Sequence, residues 1–270
     1  DLYDGTHGGE DATGNPSAND VSISVNAGRS IINYCGHGSS GAWSTTGFSS
    51  SNVHSLVNDY MLPYVISVAC NNGQFDDYDE CFCEAWQRAT HNGNPTGAIA
   101  ITGSSISMSW DPPMDAQDEM NDLFTGLSSY NSMFTIGGIH ANGCMHMNDV
   151  YGSSGSAETD YWHIFGDPSL VLRTDIPSNM TVSHSSIFIS GSTTFEINVA
   201  NTANALCAIS YNNILLGFNY TNQNGECIIS FDQPISNMET VTLVVTAFNK
   251  NPYITTLDVL HLYASPLSLN

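Results

Sequence analysis

Three short runs, SIINYC (30–35), YVISVAC (64–70) and GAIAITG (97–103), are apolar almost throughout. Each is strand-length, and a continuous rather than alternating apolar run is what a strand covered on both faces requires. Between them lie more polar, helix-capable stretches at 49–59 and 79–90; in the first, Val53, Leu56 and Val57 fall on one helical face. This alternation predicts an α/β unit over residues 1–175, with a parallel-rich sheet flanked by helices. An open sheet of this kind usually has more than three central strands. Either the unit is small, or a further half precedes it.

After VLRTDIPSNM (171–180) the texture changes to short alternating segments: TVSHS, SIFIS, TTFEINVA, ALCAISY, ECIISF, TVTLVVTAF and YITTLDVL. Turn signals such as GS, YNN, NQNG and KNP separate them. Seven short strands without helical periodicity predict an all-β immunoglobulin-like sandwich over 176–270, with Pro177 punctuating the junction. No internal repeat is visible.

Charge narrows the partners. Asp and Glu number 26 against four basic residues, Arg29, Arg88, Arg173 and Lys250, for a formal net charge of −22. Such a surface repels nucleic acid and anionic lipid, and attracts cations and basic peptides. Solubility or adaptation to salty water accounts for it; so would a protease that cuts after Arg or Lys and carries few such sites itself. No stretch approaches the roughly 20 apolar residues of a membrane span. The opening DLYDGTHGGED has no signal-peptide character, so a secreted form would be a trimmed one.

The seven cysteines are Cys35, Cys70, Cys81, Cys83, Cys144, Cys207 and Cys227. An odd number leaves one unpaired within the chain. No pair has C-x-x-C spacing, and Cys81 and Cys83 suit neither a shared metal nor a mutual bridge. Cys207 and Cys227 lie in two strand-like segments and are candidates for a disulfide.

Two of the apolar runs deliver reactive side chains. NYCGHGSSGAW (33–43) sets His37 between Gly36 and Gly38 just beyond the first run, and Cys70 ends the second. In open parallel sheets the carboxyl ends of the strands form the ligand crevice. Two successive strands thus bring an imidazole and a thiol to one edge, as a Cys–His dyad requires. The histidine favours the thiolate nucleophile and later protonates the leaving amine. The glycines beside His37 would let a substrate backbone approach and would free an amide for a developing oxyanion. Taken singly, a histidine in a glycine loop is a turn residue and a strand-end cysteine is inert core; the pairing carries the argument.

Further stretches make the chain familiar: SVACNNGQF around Cys70, NGNPTGAIA (92–100), SMSWDPPMDAQDEMN (107–121), TIGGIHANG (135–143), IFGDPSLVLRT (164–174) and TLVVTAFNK. Together with Y-x-GHGS around His37, they resemble the gingipain family of secreted bacterial cysteine endopeptidases, above all its arginine-specific members. The resemblance implies a caspase-like fold followed by the sandwich. His37 matches the catalytic histidine and Cys70 the nucleophile, with oxyanion-hole amides from Gly38 and Cys70. Trp110 and Met114 match residues walling the pocket for the P1 side chain, and Met108 stands where the close relatives have a glutamine that shapes it. The resemblance also implies an endopeptidase secreted or at the cell surface after processing, with protein or peptide substrates and structural Ca2+. No cofactor is needed for catalysis. The family's pocket aspartate and the carboxylate that orients the histidine lie upstream of the matched stretch. The chain therefore reads as the second half of a catalytic domain, with an N-terminal half as partner, either a separate chain or a precursor segment.

Several features have plainer readings. DDYDE (76–80) is a solvated acidic loop or, less readily, a calcium ligand source, without EF-hand spacing. The H-x3-C-x-H pattern of His140, Cys144 and His146 reads as packing rather than a metal site. Asp167 before Pro168 forms a turn. ETDYW and IFGDPSL read as packing and turn structure, and Cys35 as a buried strand residue. A basic P1, Arg or Lys, is the reading that fits best. A caspase-fold protease with another P1 choice, or a non-catalytic binding protein on the same scaffold, are the alternatives.

Overall fold

The structure, a computed structural model, describes residues 14–76, 79–129, 133–236 and 238–261. The polar opening and Asp77 and Tyr78 of the acidic run lie outside the described residues. The chain divides into two compact units, Asp1–Thr174 and Asp175–Asn270.

In the first unit the elements run α1 (Ala18–Asn26), β1 (Ile31–Cys35), a small meander of β2 (Gly38–Ser39), β3 (Ala42–Trp43) and β4 (Phe48–Ser49), then α2 (Ser50–Val53) and β5 (Tyr64–Val68). There follow α3 (Phe82–Arg88), the hairpin β6 (Thr90–His91) and β7 (Asn94–Pro95), β8 (Ala100–Ser104), α4 (Asp111–Thr125), α5 (Ile136–Tyr151), α6 (Ser153–Tyr161) and β9 (Trp162–Gly166).

The main sheet has the order β1-β5-β8-β9. β1, β5 and β8 are parallel, in a register that sets Ile31 beside Tyr64 and Tyr64 beside Ala100. All five residues of β5 are buried, as its unbroken apolar run requires. Val65 joins a core with Trp43, Phe48, Phe82 and Trp86 on one face; Tyr64, Ile66 and Val68 join Met120, Ile139 and Trp162 on the other. Helices therefore cover both faces, α1 to α3 on the first and α4 and α5 on the second.

Local chemistry sets the helix ends. Ser17 and Asp20 cap α1 reciprocally, each side chain accepting from the other's backbone N–H. Glu84 accepts from the Cys81 N–H at 2.8 Å to open α3 and pairs one turn on with Arg88. α4 carries Pro112 and Pro113 in its first turn, where a missing N–H costs nothing, and Gly126 ends it at φ 77°.

Several sequence expectations need correction. The stretch 49–59 forms only one helical turn, α2; Val53 and Leu56 are buried while Val57 stays exposed, because the chain leaves the helix before completing the apolar face. The segment read as packing and turn structure supplies β9, an antiparallel strand on β8. α6 runs straight into it without the crossover that a parallel strand needs. Cys35 is exposed rather than buried, because β1 is the sheet's edge and Tyr34 takes the inward position.

The second unit contains β10 (Val182–His184), β11 (Ile187–Ile189), β12 (Thr194–Val199), β13 (Leu206–Tyr211), β14 (Ile214–Tyr220), β15 (Glu226–Ser230), β16 (Thr240–Thr246) and β17 (Tyr253–Leu260). Two sheets form, β10-β12-β15 and β11-β17-β16-β13-β14. Alternate residues of each, among them Ile197, Val199, Ile209, Ile229 and Leu243, build one buried core. ILLGFNY, which is not among the seven segments read as strands, is β14; its residues are poorly buried and without alternation.

Candidate active site

Cys70 lies two residues past the end of β5 and His37 two past the end of β1, so the two parallel strands bring both to the same sheet edge. The loops are locked together by contacts that begin at the glycines. A Cβ on Gly38 would lie 2.6 Å from the Cys70 carbonyl oxygen and 2.8 Å from the Ala69 Cβ. One on Gly36 would lie 2.6 Å from the Tyr34 hydroxyl and 2.9 Å from Thr45 Oγ1. The space a side chain would take at either glycine is thus filled by the protein's own chain.

The His37 backbone is held at both ends. Its N–H donates to Thr45 Oγ1 at 2.9 Å, and its carbonyl accepts from the Tyr34 hydroxyl at 2.7 Å and from the Ser44 N–H at 2.8 Å. Tyr34 is itself fixed by stacking on Trp43, ring centroids 4.4 Å apart. The imidazole is exposed and packs against Trp110 in a T-shaped arrangement, ring centroids 5.3 Å apart and planes at 81°.

Cys70 Sγ sits in a backbone cradle. The Met108 N–H donates to it at 3.4 Å, and the Met108 carbonyl lies 3.6 Å away as acceptor for the thiol. The cradle serves either protonation state: the carbonyl takes S–H, and the N–H faces a thiolate. Among the described residues no hydrogen bond joins His37 directly to Cys70. Asn71, next in the chain, adopts φ 61°, a conformation Asn tolerates better than most residues, and its N–H donates to the Ile106 carbonyl at 3.0 Å.

The loop 106–110 therefore runs past the thiol with Trp110 exposed at its end. The Met108 and Met114 side chains are partly buried against the second-face core, so Met108 meets Cys70 through its backbone. Trp110 precedes α4, whose Gln117 donates to the carbonyls of Tyr34 and Ile66, both at 3.2 Å, fastening the helix to β1 and β5.

Two supporting residues escape sequence reasoning. Asn72 is fully buried; it donates to the carbonyls of Ser39 at 2.7 Å and Ala42 at 3.0 Å and accepts from Ser67 Oγ at 2.8 Å. Ser67 in turn accepts from Trp43 Nε1 at 2.9 Å. This network stitches the nucleophile loop to the meander that follows His37. Glu158, on α6, is buried at 5% exposure, and its Oε1 accepts from both the backbone and the hydroxyl of Ser109. Burial, then Glu158 and Cys70 nearby, push the Tyr161 hydroxyl up. An asparagine after a cysteine and a glutamate 88 positions on carry no periodic signal that would have marked them.

The other candidates do not converge on a site. His140 and Cys144 pack one turn apart inside the unit, Sγ 3.6 Å from Nε2, which also meets the Trp162 carbonyl at 3.1 Å. Burial pushes His140 down to about 4 and the Cys144 thiol up to about 11, so both are neutral. Asp167 caps its own turn through Ser169. In the acidic run, Glu80 pairs with His54 at 2.7 Å and Arg88 at 3.8 Å. Among the described residues no group of three or more His, Cys, Asp or Glu side chains gathers as metal ligands would. No described helix is long and apolar enough to cross a membrane.

The chain is similar to known proteins. The chain is 37% identical over 225 residues to Gingipain R2 of Porphyromonas gingivalis, a match covering 83% of this chain and 30% of that one. It is 38% identical over 234 residues to Gingipain R1 of the same organism, covering 86% of this chain and 23% of that one. It therefore spans about a third or less of these relatives' length. The crystal structure of the Arg-specific cysteine proteinase gingipain R (RgpB) superposes with a TM-score of 0.85 at 35% identity, covering 91% of this chain and 56% of that one. Residues 2–173 match the model of peptidase family C25, and the chain belongs to that family.

Proposed function

We propose that this chain supplies the nucleophile and the general acid–base of a cysteine endopeptidase. The observation that carries the reading is the packing of Gly38 on the Cys70 carbonyl, which fixes the His37 loop beside the thiol. The Cys70 thiolate attacks the scissile carbonyl carbon, with the oxyanion received by the amides of Gly38 and Cys70. His37 protonates the leaving amine, and a thioester remains on Cys70. His37 then takes a proton from water, which attacks the thioester and releases the acid product. Trp110 orients the imidazole during both transfers.

The P1 residue is basic, arginine before lysine. The similarity to Gingipain R1 and R2 and to an Arg-specific proteinase supports this, and Trp110 with Met114 forms the wall of the pocket. An upstream segment completes the site with the carboxylate that steadies His37 and the acid that meets P1. The relatives' greater length supports this, as does similarity at a TM-score of 0.83 to a complex of RgpB pro- and mature domains. The enzyme is secreted or held at the cell surface, its second unit an immunoglobulin-like module and its calcium structural.

The test is a P1-scanning panel of fluorogenic peptides, run on the wild type and on Cys70→Ala with the upstream half present. Cleavage after Arg by the wild type alone supports the reading. Cleavage only after uncharged residues removes the basic pocket, and no cleavage of any peptide favours a binding protein.

A further inference from the structure

Cys207 and Cys227 have no part in the site above. They face each other across the second unit, on different sheets: Cys207 on β13 of the five-stranded sheet, Cys227 on β15 of the three-stranded one. Each occupies an inward position in its strand's alternation, Cys207 next but one to Ile209 and Cys227 next but one to Ile229. Both are buried, at 0% and 4% exposure, in one core. The Cys207 Sγ donates to the Ala205 carbonyl at 3.9 Å, and after burial the nearby Cys227 helps push the Cys207 thiol up. β13 is held by neighbours on both sides, β14 and β16, and β15 pairs with β12, setting Cys227 beside Ile197. The strands carrying the thiols are therefore fixed by their own ladders.

We infer that Cys207 and Cys227 are a covalent inter-sheet staple, oxidised to a disulfide when the protein folds outside a reducing compartment. The oxidant is an external disulfide of the glutathione type or a disulfide oxidoreductase. One Cys thiolate attacks it, giving a mixed disulfide and one released thiol; the second Cys attacks the mixed disulfide, forming the Cys207–Cys227 bond and releasing the other. Two protons and two electrons leave the pair, and the external disulfide is reduced to two thiols. In the closed sandwich both sulfurs are covered, and burial pushes Cys207 up to about 12, so exchange belongs to the stage before the sheets close. Afterwards the same burial shields the bond from reductants. The staple is independent of the peptidase reading.

The test uses the wild-type full chain, folded once with oxidised and reduced glutathione and once with excess reductant. Free thiols are blocked with N-ethylmaleimide in denaturant, and the chain is cut at Glu226, between the two cysteines, with a glutamate-specific protease. The expected result in the oxidised sample is a joined pair of peptides, one carrying Cys207 and the other Cys227, separating on reduction. The oxidised form also melts about 10 °C or more above the reduced one, because the bond closes a loop in the unfolded chain. Full labelling of both cysteines in the oxidised sample, or either one joined to another cysteine, overturns the staple.

Discussion

Gly38 and Cys70 touch through the backbone: a methyl group on Gly38 would stand 2.6 Å from the Cys70 carbonyl oxygen, inside any permitted contact. The histidine loop and the nucleophile loop are thereby one packed object, and their spacing is set by the absence of a side chain.

Gly38→Ala is expected to force these loops apart. A shift of about 1 Å at a reacting pair costs on the order of a hundredfold in rate. Peptide cleavage should fall by that much in kcat/KM while the thermal midpoint moves far less; unchanged kinetics would show that the contact does not set the site.

Cys70→Ala should abolish cleavage and leave the fold intact, since among the described residues the thiol's hydrogen bonds go only to the Met108 backbone. Active-site titration with a thiol-directed inhibitor, alongside circular dichroism, separates lost chemistry from lost structure.

Asn72 has no room for error. It is fully buried, with two donations to carbonyls and one hydrogen bond accepted. Asn72→Asp keeps its shape but turns acceptor oxygens toward the Ser39 and Ala42 carbonyls, costing about 3 kcal/mol or more. Chemical denaturation should show that loss, and it should shrink as acid protonates the introduced carboxyl.

Glu158 positions the loop that carries Met108 and Trp110 by accepting two hydrogen bonds from Ser109. Losing bonds to a charged acceptor costs about 1.5–3 kcal/mol each. Glu158→Ala should lower kcat/KM about tenfold or more, whereas Glu158→Gln, which keeps an acceptor oxygen, should restore most of it. Equal losses in the two variants would argue against positioning.

His140 makes stability depend on acid. Its folded value, about 4, lies below the ordinary value near 6.5, so between them the unfolded chain binds a proton that the folded chain refuses. Stability is full above about pH 6.5 and is lost as the pH falls toward 4, by about 3 kcal/mol in all. His140→Gln, which keeps a donor for the Trp162 carbonyl, should flatten that part of the curve in pH-dependent denaturation.

The chain itself determined the central strands and their chemistry. An unbroken apolar run such as YVISVAC can be satisfied only between two covered faces, and a parallel sheet sends its strand ends to one edge. His37 and Cys70 were legible for that reason. The roles of Gly36 and Gly38 were only half legible: the sequence shows that side chains are missing, and only the fold shows that Tyr34, Thr45 and Cys70 occupy the space. β9 and β14 escaped notice because half-exposed strands lack the alternation that marks a strand with one buried face. Asn72, Ser109 and Glu158 lay beyond any reading of the sequence. Most of their hydrogen bonds join positions tens of residues apart, and periodicity reports only which face of a local element is buried. The sequence decided which reactive groups reach the edge of the sheet; the tertiary structure decided what holds them in place, because long-range contacts between loops exist only once the chain has closed.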